Sequence, residues 1–119
     1  MSYVQRDENG RIFGLYANRQ EGFAEEWLDA DDPELIAFGG EQLAVTERAW
    51  RDTALAAVVW LRDRHRDQQD LGGSTTLTAE QFQELLLYMQ ALRDWPQSEQ
   101  FPEAEHRPVA PPWIAEQHP

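Results

Sequence analysis

The chain has 119 residues, enough for one modest core and a tail, and 41% hydrophobic content with five Trp and five Phe argues for a folded protein. Ten basic residues, all of them Arg, face 22 acidic ones for a formal charge of -12, a balance that disfavours nucleic acid, whose binding depends on neutralising phosphates. Zero cysteines exclude disulfides, thiolate metal sites and cysteine nucleophiles. No apolar run approaches a bilayer span, and the opening MSYVQRDENG lacks the regions of a signal peptide, so no membrane partner and a cytoplasmic location are expected.

Two short runs, 2–6 and 11–17, flank Glu8-Asn9-Gly10, and Asn-Gly is the strongest short hairpin signal because both residues tolerate positive φ. A third extended piece, 23–28, follows the turn 18–22 and completes a small antiparallel meander. Asp32 caps a short helix with Pro33 at its first position, and Gly39-Gly40 is expected to end it after about two turns. Eight carboxylates and no Arg lie between Glu21 and Glu41, a block that serves as a solvated face or mimics a polyanion.

From Thr46 the helical period takes over, with Trp50, Ala54, Ala57, Val58, Leu61 and His65 at three- and four-residue steps and no breaker before Gly72-Gly73. Thr78 opens the next helix with Gln81 three residues on, a capping box, and Leu77 and Phe82 stand at the positions of a hydrophobic staple. Phe82, Leu85, Leu86, Met89 and Leu92 form its apolar stripe, so the two long helices are expected to pack antiparallel. Pro96 stops the helix with Trp95 half buried at the corner. Beyond it Pro102, Pro108, Pro111, Pro112 and Pro119 predict an extended tail anchored by Phe101 and Trp113. The expected fold is α+β. One domain, 1–96, is divided into a hairpin region with a short helix, 1–43, and two long helices, 44–96; the Pro-rich tail is 97–119.

The chain offers little chemistry. His65 with Asp63 and Asp67, joined by His106 from the tail, has the wrong spacing for a metal on one helical face, and His65 reads better as the end of the apolar stripe. No nucleophile elbow, phosphate loop or dinucleotide glycine pattern occurs, and no cofactor or enzymatic activity is expected. Arg93 and Asp94 read as a cap that fixes the exit of the tail, and Trp27 and Trp50 as core.

The run Leu77 to Trp113, LTAEQFQELLLYMQALRDWP followed by FP, RP and PPW, resembles the C-terminal signature of phage tail assembly chaperones and the related tail fibre assembly proteins. The opening YVQRDENGRIFGLYANRQEGFAEEWL is similar to their first hairpin. Tyr88, Leu92, Arg93, Asp94, Pro96, Phe101, Pro102, Pro108, Pro111 and Trp113 carry the match. The chain departs from the family pattern at Met89-Gln90, where arginine commonly follows the tyrosine, and at Arg107-Pro108, where Trp-Pro is usual. The resemblance implies a non-enzymatic protein of the host bacterial cytoplasm that binds a phage tail or tail fibre protein and keeps it soluble. With the corner residue Trp95 added, the expected partner-binding set is Tyr88, Leu92, Arg93, Trp95, Phe101, Pro108, Pro111 and Trp113. Alternatives are an acidic nucleic-acid mimic that inhibits a host protein and a minor structural component of the virion; homo-oligomerisation is left open.

Overall fold

Strand β1 (Ser2–Arg6) pairs antiparallel with β2 (Ile12–Tyr16) on one side and with β3 (Glu26–Leu28) on the other, giving the order β2-β1-β3. The computed structural model describes residues 2–119. The sheet is antiparallel and three-stranded, as the sequence suggests, but β3 joins β1 rather than β2. Side chains account for that choice. Val4 on β1 is the buried strand residue. Tyr3 meets Trp27 of β3 edge to face at 5.0 Å, and Arg6 at the end of β1 bonds Glu26 at 2.7 and 2.9 Å. The same guanidinium reaches Glu34 at 3.0 Å. Three carboxylates of the acidic block, Glu25, Glu26 and Glu34, are therefore spent on Arg19 and Arg6 within the chain. Trp27 is 43% exposed, not core. A three-residue edge strand offers it a neighbouring ring but no covering layer.

The first turn is wider than a two-residue Asn-Gly turn. Asp7 Oδ1 accepts the amides of Asn9 and Arg11 at 2.8 and 3.0 Å, and only Gly10 takes positive φ, at 82°. The carboxylate satisfies backbone donors that a tighter turn would have paired with carbonyls.

Helix α1 runs unbroken over Pro33–Asp70, so the expected stop at Gly39-Gly40 does not occur. Its start matches expectation, with Asp32 Oδ1 accepting the Glu34 amide at 2.9 Å. Neither Gly39 nor Gly40 adopts the left-handed conformation that closes a helix. Each costs about 1 kcal/mol relative to Ala, but the good helix formers that follow carry the helix on. The true stop is Gly72, at φ 76°.

Two units divide at Ala44, within this helix. The first contains the sheet and the start of α1, with Val4, Ala24 and Leu35 buried. In the second, the rest of α1 folds back onto α2 (Ala79–Asp94). The pairings run in opposite order along the two helices: Glu47 bonds Trp95, Arg51 bonds the Leu92 and Arg93 carbonyls, and His65 stacks on Phe82. They are therefore antiparallel. Thr78 forms the capping box with Gln81, and Leu77 and Phe82 join the core. Gln68 holds the connecting loop through both the Thr76 hydroxyl and amide at 2.9 Å. Val58, Leu61, Leu77, Leu85 and Met89 form the core cluster, and each buried aliphatic side chain contributes about 2 kcal/mol.

Residues 97–119 alternate extended segments with tight turns at Ala104–His106 and Pro112–Glu116. Trp113 and Ile114 pack against the core cluster, and Arg64 donates to the His118 carbonyl at 3.2 Å. Among the described residues no helix is long and apolar enough to cross a membrane.

Candidate functional site

Glu47 and His65 are the buried polar side chains among the described residues, at 3% and 2% exposure. A carboxylate taken out of water must be paired or protonated. Glu47 is paired. Arg107 Nε donates to its two oxygens at 3.0 and 2.9 Å, Arg107 Nη2 adds a further bond, and Trp95 Nε1 donates at 3.1 Å. The Arg107 bonds, helped by the Trp95 indole, hold the Glu47 carboxyl below the usual carboxylate range despite its burial. The guanidinium also lies 4.4 Å over the Trp50 ring, and Phe101 meets Trp95 edge to face at 5.5 Å. One buried acid on α1 thus pins the end of α2 and the middle of the tail.

With the tail pinned there, its next residues run beside α2. Glu84, Leu87, Tyr88 and Ala91 lie at helical steps of three and four, on one face of α2. Opposite them stand Pro108, Val109 and Pro111, and between the two walls lies a groove of about 330 Å³. The prolines contribute no backbone N–H to it. Leu87 is 63% and Val109 88% exposed. The Tyr88 hydroxyl is pushed up from its ordinary pKa by burial. Trp113 packs on the core, and its Nε1 donates to Glu84 Oε2 at 2.8 Å, tying the tail to the groove face of α2.

The residues singled out in the sequence fall into three groups. Tyr88, Pro108 and Pro111 line the groove. Leu92 and Trp95 are buried, at 0% and 3% exposure, and Phe101 and Trp113 are half-buried supports of the tail. Arg93 is exposed, and its carbonyl accepts from Arg51 at 3.2 Å. Sequence reading missed Glu84, Leu87, Ala91 and Val109 in the groove and Glu47 bonded to Arg107 of the tail. A signal for Leu87 was present. The triplet Leu85-Leu86-Leu87 cannot place all three side chains on one buried stripe, and the third faces out.

His65 lies in the core, its ring stacked on Phe82 at 4.0 Å and its Nδ1 without a hydrogen-bond partner among the described residues. It does not meet Asp63, Asp67 or His106 at a common point. His106 instead neighbours Glu103 and Glu105, with ligand atoms within 4.8 Å of one another and all three side chains exposed.

Residues 44–112 match the family described as phage tail assembly chaperone protein. The match runs from the end of the first unit to Pro112, and so takes in Glu47, Arg107 and both walls of the groove. No curated protein matches the chain, and no solved structure does.

Proposed function

The chain belongs to the phage tail assembly chaperone family, and we propose that it binds a phage tail or tail fibre protein in the host cytoplasm and keeps that client soluble during assembly, without catalysing a reaction. The observation that carries the reading is an exposed apolar groove inside the family-matched region, lined by Leu87, Tyr88, Ala91, Pro108, Val109 and Pro111. Leu87 and Val109 face water at a cost that burial against a partner would recover. The charge of -12 suits a holdase, because a complex whose apolar surface is covered stays soluble through repulsion between copies.

Leu92, Trp95, Phe101 and Trp113 act in this reading as supports that hold the groove's walls in place. Removing residues 97–119 is therefore a poor test, since the deletion strips Arg107 from a buried Glu47 and Trp113 from the core. The clean perturbation is the double substitution Leu87→Asp, Val109→Asp. Both sites are exposed, so folding stability should change by no more than about 0.5 kcal/mol per site. Coexpressed with the tail proteins of the same phage, the wild-type chain raises the soluble yield of its client and the double variant does not. Equal soluble yields would count against the groove as the docking surface.

A further inference from the structure

Building on the groove as the client-docking surface, we infer that its occupant is a protein segment carrying an aliphatic or aromatic side chain next to an arginine or lysine. The walls from Leu87 to Pro111 set the apolar half of that requirement. Charge sets the other half. Glu84 lines the groove, and Glu80 lies one helical turn before it on the same face of α2. Glu84 spends only Oε2 on the Trp113 indole, and Oε1 carries no hydrogen bond within the described protein. No basic side chain lines the groove. Arg107, adjacent to Pro108, is turned to Glu47 instead.

A cation on the client would therefore meet two carboxylates without competition from the chain's own arginines. An acidic segment would meet those carboxylates on a chain already at -12. A second copy of this chain is disfavoured by the same repulsion. The occupant is thus read from the groove as an apolar anchor with a positive neighbour placed towards the N-terminal end of α2.

The test places a photoreactive benzoylphenylalanine at position 87 of the full chain, in cells producing phage particles, and sequences the crosslinked peptides. The expected peptide comes from a tail protein and has an aliphatic or aromatic residue within about one helical turn or two strand residues of Arg or Lys. Adding Glu80→Gln and Glu84→Gln keeps an acceptor for the Trp113 indole but removes both charges. Crosslink yield should then fall about fivefold at low salt, the effect of two exposed ion pairs, and the loss should shrink at high salt. A tail-protein peptide with no basic neighbour, or a yield indifferent to the two glutamines, overturns the inference and leaves the docking surface standing. A crosslink to a second copy of this chain, or none to any tail protein, overturns both.

Discussion

Replacing Trp95 with Phe separates the pinning of the tail from ordinary core packing. Trp95 is 3% exposed and its Nε1 donates to the Glu47 carboxylate at 3.1 Å, itself 3% exposed. Phenylalanine keeps an aromatic ring against Phe101 but has no donor. A hydrogen bond to a buried charge contributes about 1.5–3 kcal/mol, and the smaller ring forfeits about 1 kcal/mol of burial. The sum is about 2.5–4 kcal/mol. With an unfolding entropy of about 2.1 cal/mol/K per residue, a chain of this length loses about 4 °C in Tm per kcal/mol, so a drop of about 10–16 °C is expected. Trp113→Phe is the control. That indole also donates to a glutamate, at 2.8 Å, but Glu84 is exposed and water replaces the lost partner. Its Tm should fall by under about 4 °C. Thermal unfolding followed by circular dichroism measures both. Equal drops, or a larger one for Trp113→Phe, would refute the claim that a buried Glu47 makes the Trp95 bond matter.

Two further predictions concern stability. Because the folded state holds the Glu47 carboxyl below its unfolded value near 4.5, its contribution is complete above that value and is lost as pH falls through the lower, folded one. Wild-type Tm should therefore drop more steeply than that of Glu47→Gln between about pH 5 and pH 3; parallel curves would show that the clamp does not titrate. Glu25 and Glu26 shift in the same direction in both proteins, so they cancel in the comparison. Thr78→Ala removes the hydroxyl that accepts the Gln81 amide at 3.1 Å and should cost about 1 kcal/mol in urea unfolding, with an unchanged midpoint counting against the capping box.

Local signals in the sequence were the legible ones. Thr78 with Gln81, Asp32 before Pro33, and Gly10 after Asn9 each work through bonds or dihedrals within a few residues, and each is present in the structure. The partner of β3 and the fate of Gly39-Gly40 were not legible, because both depend on what surrounds them. Arg6, twenty residues away, fixes Glu26 beside β1, and a glycine pair ends a helix only where the chain can leave it.

The same divide runs through the candidate site. Tyr88, Pro108 and Pro111 belong to the motif that carries the resemblance, and they line the groove. Glu47 and Arg107 lie sixty residues apart, and nothing periodic links them. Arg107 stands immediately before Pro108 of the groove wall. Its guanidinium stacked on Trp50 and bonded to Glu47 is how this chain fastens the tail at that point. Trp27 misleads because a periodic aromatic is usually core, whereas here it is the middle residue of a three-residue edge strand and stays 43% exposed.

The central claim, that the groove between α2 and the tail is where a tail protein docks, is tested most directly by affinity purification from particle-producing cells. Tagged wild type and the Leu87→Asp, Val109→Asp variant would be compared by quantitative mass spectrometry, with circular dichroism confirming that both are folded. The account predicts a tail or tail fibre protein enriched with the wild type and reduced at least tenfold with the variant, the effect of about 1.4 kcal/mol of lost apolar contact. Equal recovery of that protein by both chains would contradict it.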